Sequence, residues 1–522
     1  MSDAVNLDAM IRRDDFAVKG SQVASAEPIK SLSIETLSGT GMLVPLLRKP
    51  DFQRETNHWT PVQVVSFLES FLDNELIPSI ILWQSESFVF VIDGGHRLST
   101  LRAWIEDDYG DGQISLAFYS NEISTAQRKI ASKTRDLIEQ KIGKYVDVKR
   151  ALIHPDDHEP KLVQRARNMA TRSLSLQWVN GDAEKAETSF FKINTQGTPL
   201  DDTEELLLRN RACSVAIAAR SIVRAGTGHK YWSKFPPNNI GTIEQKSKKL
   251  HDLFFTPEVN QPIRTLDLPL GGTKSPIVAL DLLMNLISTM CADVGKSRKP
   301  IAEFAIDADG IKTIAVLDEC LDVMTRVTGN DAASLGLHPA VYFYSEKGRH
   351  IPDLLLGMLY LFKERIKNND SGFFKKFTKA RELMETCLVS KKPLITQALQ
   401  IARSKTRFER SADLFKFLVD ECSKNAIPSD ENLVAVVIPN AQSKILAISQ
   451  NNTSTQFSAE TKSQIYLRDS LRSALRCSIC HGLIEPAKSV SYDHIERVRD
   501  GGVGGAENGQ MTHPYCNTSI KN

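Results

Sequence analysis

The chain of 522 residues has almost no net charge, because 65 lysines and arginines face 63 aspartates and glutamates and leave only +2. Any surface for nucleic acid must therefore come from local basic clusters. Long apolar runs are also missing: the best candidate, residues 276–294, is interrupted by Asp281 and Asn285 and favours a buried helix. Residues 1–25 hold four aspartates and no apolar block, so we expect neither a signal peptide nor a membrane partner.

Cysteine is scarce, with eight residues in the whole chain, and only three of these lie close together. The other five are scattered through apolar, helix-like stretches: Cys213, Cys291, Cys320, Cys387 and Cys422. Isolated thiols of this kind are typical of a reducing compartment. We therefore expect a cytoplasmic protein, and its length and ordinary composition predict about three globular domains.

The last 46 residues, 477–522, hold the most specific pattern of the chain. Cys477 and Cys480 form one pair with two residues between them, and His513 and Cys516 form a second pair with the same separation. This is the ligand spacing of a closed tetrahedral zinc site. Such a metal joins segments that are too small to bury a core of their own.

Between the two pairs, Asp493 and His494 place a carboxylate next to an imidazole at the end of a strand-like run. Asn508 follows a glycine-rich loop, and Asn517 follows the last cysteine directly. Hydrolysis of a phosphodiester needs a base that titrates near neutral pH and a cation beside the scissile phosphate. The pattern is therefore compatible with a metal-assisted hydrolase.

In order and spacing, C-S-I-C, D-H-I, G-G, E-N and H-P-Y-C-N resemble the HNH endonuclease family. The resemblance implies a ββα-metal nuclease in which Asp493 and Asn517 hold a catalytic Mg²⁺ or Mn²⁺. His494 would be the general base, and Asn508 would brace the loop that orients it. His513 stands where the family more often has a cysteine, and Lys521 is one position away from the family's basic residue. A structural zinc knuckle without catalysis stays open as the alternative.

A second pattern lies near the N-terminus, where two β-rich runs, residues 77–83 and 88–92, predict a hairpin. It leads into Asp93, Gly94, Gly95, His96 and Arg97 at a predicted helix start. Glycines allow a ligand to approach the backbone, and the N–H groups of a helix start favour anions. Arg97 could grip a phosphate in a bidentate manner, although a surface ion pair would give the same pattern.

P-D-F-Q-R from Pro50, D-G-G-H-R from Asp93 and F-F-K-I-N-T-Q-G from Phe190 resemble the motifs of the GmrSD-type, ParB-like domain. The resemblance spans about residues 30–215 and implies nucleotide binding and hydrolysis. The residues that it places at the nucleotide site, including a neighbouring loop, are Gln53, Arg54, Asp93, Gly94, Gly95, His96, Arg97, Asn194 and Gly197. His96 replaces the family's usual glutamine, which leaves hydrolysis open. Residues 194–197 could equally be a helix-ending turn.

The predicted fold class is α/β plus α. The predicted order is a mobile arm (1–30), a ParB-like mixed α/β domain (31–220), a helical domain (221–440), a polar linker (441–464) and a zinc-stapled ββα-metal domain (465–522). Helices are expected over residues 276–294, 313–327, 352–367, 394–422 and 465–475. Basic residues cluster in the helical part, where they could contact DNA or simply form solvated faces.

These observations predict a DNA endonuclease that is regulated by a nucleoside triphosphate and acts in restriction or anti-phage defence. Expected cofactors are structural Zn²⁺, catalytic Mg²⁺ or Mn²⁺, and the nucleotide. Expected partners are double-stranded DNA, modified or not, and either a second copy of the chain or other defence proteins. Two alternatives stay open: a nucleotide-switched DNA-binding or scaffold protein, and a nuclease that acts on RNA.

Overall fold

The computed structural model describes residues 4–14, 29–39, 41–50, 53, 56–85, 87–181, 185–186, 189–190, 193, 202–227, 231–259, 261–272, 279–439 and 456–521. The chain divides into two compact units. The N-terminal unit comprises Met1–Arg211 and Thr227–Tyr231, and the C-terminal unit comprises Ala212–Gly226 and Trp232–Asn522. The predicted boundaries between helical domain, linker and ββα-metal domain stay predictions.

The N-terminal unit is built on a mixed six-stranded sheet with the order β1-β3-β5-β4-β6-β2. Three neighbouring pairs are parallel (β1–β3, β3–β5 and β4–β6), and two are antiparallel (β4–β5 and β2–β6). The strands are β1 Arg13–Asp14, β2 Ser31–Ser33, β3 Leu47–Pro50, β4 Ile80–Gln84, β5 Val89–Asp93 and β6 Ser173–Trp178. The mixed α/β prediction for this unit is confirmed, and so is the predicted hairpin, as β4–β5.

Helices cover the described part of this sheet and shield its apolar side chains from water. The first one, α1, begins at Pro61 because Thr60 and Gln63 form a reciprocal capping box, as the Thr-Pro pair indicates. Its buried side chains include Val64, Leu68 and Phe71. The helices are α1 Pro61–Leu72, α2 Gly95–Glu106, α3 Gln113–Phe118, α4 Thr125–Lys141, α5 Tyr145–Ile153, α6 Pro160–Thr171 and α7 Asp202–Arg209.

The C-terminal unit is predominantly helical over its described residues. Its helices are α8 Ser214–Val223, α9 Pro237–Phe255, α10 Leu280–Met290, α11 Ile311–Val327, α12 Pro339–Tyr342, α13 Pro352–Lys367, α14 Ser371–Ser390, α15 Lys392–Ile401, α16 Arg407–Cys422, α17 Asp430–Val437 and α18 Ala459–Arg472. The five scattered cysteines are buried, as expected. No helix in the described ranges is long and apolar enough to cross a membrane.

Two helix predictions in this unit need correction. Residues 394–422 do not form one helix, because Ala402 adopts extended angles (φ −61°, ψ 148°) and a 3₁₀ turn, Ser404–Thr406, follows before α16. The lead-in helix to the C-terminal motif begins at Ala459 rather than near residue 465, because the Ser458 side chain caps it by accepting from the Thr461 N–H.

The C-terminal motif folds as a β-hairpin followed by a helical turn. β7 Ser491–His494 pairs in antiparallel fashion with β8 Gly509–Thr512, so that Asp493 lies opposite Gln510 and His494 opposite Gly509. A π-helical turn, Cys516–Ile520, follows β8. This is the order of elements that the ββα prediction requires.

Candidate metal centre and active site

Cys477, Cys480, His513 and Cys516 come together as a buried cluster, and their candidate ligand atoms all lie within 4.8 Å of one another. The Nδ1 atom of His513 is 3.3 Å from the Cys480 sulfur and 3.8 Å from the Cys516 sulfur. Zinc bonds of roughly 2.0–2.3 Å at tetrahedral angles place ligand atoms about 3.5–3.8 Å apart. The donor set and its spacing therefore fit a divalent metal with a preference for sulfur and nitrogen.

The tautomer and charge state of His513 also fit a metal site. The Nε2 atom of His513 lies 3.0 Å from the Leu483 carbonyl, which fixes the N–H on Nε2 and turns the Nδ1 lone pair towards the thiols. Burial lowers the pKa of His513, which favours the neutral form that can ligate.

A buried polar network on α14 holds the first knuckle. Glu385 Oε2 accepts from the Leu483 N–H at 2.6 Å, and Glu385 Oε1 accepts from Arg381 Nε at 2.7 Å and from the Tyr342 hydroxyl at 2.9 Å. The guanidinium of Arg381 also donates to the carbonyls of Leu335, Gly336 and Leu483. Arg381 and Glu385 are almost fully buried, so the network tolerates little displacement of Leu483.

Further contacts tie the second half of the motif to the helical part of the same unit. Ser489 Oγ donates to the Gly329 carbonyl at 2.6 Å, and the Tyr515 N–H donates to the Ser334 carbonyl at 2.9 Å. Gly336 has φ +57°, and a Cβ there would lie 2.6 Å from Ser489 Oγ and 3.1 Å from the His513 ring. The candidate metal cluster is therefore packed into the helical core.

Asp493 lies in β7 with its carboxylate shared by two donors. Lys521 Nζ is 2.7 Å from Asp493 Oδ2, and Gln510 Nε2 donates to the same oxygen at 2.9 Å. Lys521 also donates to the His494 carbonyl. The side chains of Lys521 and Asp493 are only 18% and 10% exposed, so this ion pair is partly shielded from water.

Asn508 closes the loop between β7 and β8 with its side-chain amide. Its Oδ1 accepts from the Glu496 N–H at 2.7 Å, and its Nδ2 donates to the carbonyls of Glu496 (3.1 Å) and Val503 (2.9 Å). Gly502 lies against this amide, where a Cβ would be 2.8 Å from Asn508 Nδ2. These contacts fix the backbone two residues beyond His494.

Asn517 and His494 complete the set of predicted residues in the hairpin. Asn517 Nδ2 donates to Ser491 Oγ at 2.8 Å, on the face of β7 that Asp493 shares by strand alternation. In the described part of the chain, Asn517 Oδ1 accepts no hydrogen bond and the His494 ring makes none. His494 is half-buried at the last position of β7. Both groups can therefore still contact a ligand.

The strand–glycine–helix junction of the N-terminal unit also forms as predicted. Gly94 has φ +94° between β5 and α2, and a Cβ there would lie 2.4 Å from the Ile80 side chain, so only glycine fits. Arg97 donates to Asp93 Oδ2 at 2.5 Å and to the Pro78 carbonyl at 2.5 Å. Its guanidinium thus makes the intrachain ion pair that the sequence left open as the alternative to a phosphate contact.

Gln53 brings the first motif to this junction. Its amide carbonyl would lie 3.6 Å from a Cβ on Gly95, and its Nε2 donates to the Ile92 carbonyl at 3.4 Å. Gln53 Oε1 is buried and has no hydrogen-bond partner among the described residues. The His96 ring stacks on Trp59 with 5.5 Å between centroids. Arg54, Asn194 and Gly197 lie outside the described residues.

Sequence reasoning missed the residues that hold the metal cluster from a distance. In the sequence, Arg381 and Glu385 belong to a predicted helix that is rich in charge. Their spacing of four residues predicts only a surface ion pair. The available signal was the apolar setting of α14, whose Phe374, Phe377 and Met384 are buried. The missed Gln510 is opposite Asp493, a pairing that becomes visible only once the register of the hairpin is known.

The protein thus combines two units. A mixed α/β unit carries a glycine-marked candidate ligand junction, and a helical unit carries a candidate Cys₃His metal centre. Residues 35–213 match the sequence model of the family described as GmrSD restriction endonuclease, N-terminal domain. This match supports a GmrSD-type N-terminal domain, as the motifs predict. No curated protein and no solved structure matches the chain.

Proposed function

We propose that the protein is a metal-dependent DNA endonuclease with an HNH active site on the β7–β8 hairpin. The observation that carries the proposal is the arrangement of Asp493 and Asn517 beside one face of β7, next to a buried Cys₃His cluster. The name of the matching family, a restriction endonuclease, supports a nuclease and DNA as its substrate. A defence function against modified or foreign DNA follows by analogy.

In this proposal, the Cys₃His cluster binds a structural Zn²⁺. Its four protein ligands leave no open position for a substrate, which is the property of structural rather than catalytic zinc sites. The ion would hold the knuckle of Cys477 and Cys480 against the start of the terminal helical turn at Cys516. The hairpin between them would thereby keep its register.

The carboxylate of Asp493 and the Oδ1 of Asn517 would bind the catalytic Mg²⁺ or Mn²⁺. Such an ion neutralises charge that develops on the scissile phosphate. His494 takes a proton from the attacking water, which an imidazole can do near neutral pH. Asn508 holds the backbone of Glu496 from both sides and so limits movement of the residues that follow His494.

The N-terminal unit would act as the nucleotide-binding regulator. The Gly94–Gly95 junction at the start of α2 offers backbone N–H groups to a phosphate. Gln53 lies against it with a buried oxygen that has no hydrogen-bond partner in the described part of the chain. Arg97 would have to exchange its contact with Asp93 for one with phosphate.

A structural knuckle in a DNA-binding or scaffold protein is the second candidate. The observation in its favour is the dense packing of the cluster against Arg381 and Glu385, because a purely structural zinc would need the same support. Incubation of the purified protein with plasmid DNA separates the two functions. Cleavage that requires Mg²⁺ or Mn²⁺ and is lost in His494→Ala supports the nuclease, whereas zinc-loaded protein that leaves DNA intact supports the scaffold.

A further inference from the structure

The C-terminal unit contains a cavity of about 680 Å³ that the proposed nuclease reaction does not use. It is lined by residues of α14, α15 and α18 together with Leu483 of the knuckle. Ligand sites typically have volumes of roughly 300–1,000 Å³, so this space is large enough for a small organic molecule. Val389 is 38% exposed although it lines the cavity, which leaves an apolar surface for a ligand to cover.

The walls of the cavity combine apolar and basic side chains. Ile465, Leu467 and Leu471 of α18 provide apolar surface opposite Val389. The basic lining residues are Arg468, Arg472, Arg476 and Lys392, and the acidic ones are Glu346 and Glu385. Arg468 already forms an ion pair with Asp469 at 2.8 Å, so the arginines available to a ligand are Arg472 and Arg476. The carboxylate of Glu385 is already bound by Arg381, Tyr342 and the Leu483 N–H, so its negative charge is compensated within the protein.

The arginines and the lysine occupy different depths of the cavity. Arg472 is exposed in the last turn of α18, and Arg476 donates to the His481 carbonyl at 2.8 Å. Lys392 lies deep, with only 3% of its surface exposed. Burial lowers the pKa of this lysine to about 7, and its ammonium donates to the Val341 carbonyl. The exposed Arg472 and Arg476 are therefore the main candidates to bind an anion, and the apolar lining is left for the body of the ligand.

We propose that this cavity binds a small organic anion with an apolar body, and that its binding is linked to the Cys₃His cluster through Leu483. Leu483 lines the cavity and its carbonyl accepts from His513 Nε2, while its N–H donates to Glu385. Because the surrounding network tolerates little displacement of Leu483, even a small shift of this peptide by a ligand would change the support of His513. The linkage rests on the proposed zinc site, whereas the binding of the anion does not.

The binding is tested with two fluorescent probes that share an arylnaphthylamine body. Full-length, zinc-supplemented protein is titrated with 8-anilinonaphthalene-1-sulfonate, which is anionic, and with the neutral N-phenyl-1-naphthylamine. One saturable site is expected for the anion, with at least about tenfold weaker binding of the neutral probe. Arg472→Gln should weaken only the anion, about fivefold or more, whereas Arg403→Gln, which changes an arginine outside the cavity lining, should change neither. Val389→Trp should exclude both probes by filling the cavity.

Three results would overturn the assignment of the cavity. The first is the absence of a saturable site for the anion, and the second is equal affinity for both probes with no effect of Arg472→Gln. The third is displacement of the anion by a short DNA duplex with the same dependence on Arg472, which would assign these arginines to DNA. None of these measurements requires cleavage, so they stand apart from the proposed nuclease.

The linkage is tested by zinc release to the chelating dye 4-(2-pyridylazo)resorcinol. Saturation with the anionic probe should change the release rate at least about threefold in the wild type and leave it unchanged in Val389→Trp, because a shift of the Leu483 peptide alters the hydrogen bond that orients His513. An unchanged rate at saturation would refute the linkage. A protein without zinc would refute it together with the zinc site, while the probe titrations would still decide whether the cavity binds anions.

Discussion

The ammonium group of Lys521 lies 2.7 Å from the carboxylate of Asp493, the residue proposed to ligate the catalytic ion. The same ammonium donates to the carbonyl of His494. A lysine in this position neutralises Asp493 in the absence of a divalent ion and competes with that ion for the carboxylate. The structure thus shows the contacts of a basic residue whose displaced position in the motif left its function open.

Removal of this competitor should lower the Mg²⁺ concentration that the proposed cleavage requires. In Lys521→Met, the Mg²⁺ concentration that gives half-maximal cleavage should fall several-fold, because the carboxylate no longer has to exchange an ammonium for the metal. Lys521→Arg keeps the charge and should resemble the wild type. Cleavage rates measured over a Mg²⁺ titration decide the point. A higher Mg²⁺ requirement in Lys521→Met would instead assign Lys521 to the substrate phosphate.

Loss of the zinc cluster should destabilise the helical unit that surrounds it. Cys516→Ser should reduce the zinc content from about one ion per chain to nearly none and lower the unfolding temperature of the C-terminal unit, because Leu483 and His513 join the cluster to Arg381 and Glu385. Metal analysis and calorimetry measure the two effects. Cys422→Ser, which changes a buried thiol outside the cluster, is the matched control and should keep its zinc. Zinc retained in Cys516→Ser would disprove this ligand set.

Substitutions of the two partners in the Asp93–Arg97 ion pair should change the affinity for nucleotide in opposite directions. Arg97→Ala should weaken triphosphate binding by roughly 1.5–3 kcal/mol, about ten- to more than a hundredfold, because it removes a charge-assisted contact. Asp93→Asn should release the guanidinium and strengthen binding, unless Asp93 itself holds a metal ion or a base of the nucleotide. Titration calorimetry with ATP and GTP gives both values. Unchanged affinity in Arg97→Ala would remove Arg97 from the site.

Coupling between the two ends of the chain can be measured with the same variant. If nucleotide regulates the nuclease, Arg97→Ala should alter DNA cleavage in the presence of the triphosphate, because regulation requires that one state binds nucleotide better than the other. Cleavage without nucleotide should stay at the level of the wild type. An Arg97→Ala protein that no longer binds nucleotide but responds to it in cleavage would contradict the regulatory role of this junction.

The buried Lys392 should give the C-terminal unit a distinctive pH dependence. Burial lowers its pKa from the ordinary 10.5 to about 7, so the unfolded chain binds a proton between these values that the folded chain does not. The free energy of unfolding should therefore rise between about pH 7 and about pH 10.5, by at most about 5 kcal/mol, and this gain should be lost when the pH is lowered again. Lys392→Met should remove this slope and be more stable at pH 7. Urea unfolding of the wild type and of Lys392→Met between pH 7 and 9.5 measures the pH dependence of the unfolding free energy. The same dependence in both proteins would contradict the expectation.

Some local features could be predicted because short-range chemistry determines them. The glycine-marked start of α2 and the close approach of Cys477 and Cys480 each depend on a few consecutive residues. The order of the six strands could not be predicted in this way, because β3 pairs with β5 and β2 with β6 across long stretches of chain. Partner choice in a sheet depends on packing that no local motif records.

The support of the metal cluster was invisible for a similar reason. Glu385 and Leu483 are 98 positions apart, and the value of this contact depends on the full burial of both. A charged pair on a helix is usually solvated, so the sequence favours the wrong environment for Arg381 and Glu385. The break after Ile401 was missed because residues 402–406 contain neither proline nor glycine. There, tertiary packing overrides a weak local preference.

The most direct test of the proposed function is the cleavage of supercoiled plasmid DNA by the wild type and by His494→Ala, each with Mg²⁺, with Mn²⁺ and with EDTA. The wild type should cut with either metal and fail in EDTA. The His494→Ala protein should lose at least about a hundredfold in rate, since a general base contributes roughly 10²–10⁴-fold, while its zinc content and unfolding temperature stay unchanged. His494→Ala protein that cuts DNA at the rate of the wild type would contradict the HNH assignment.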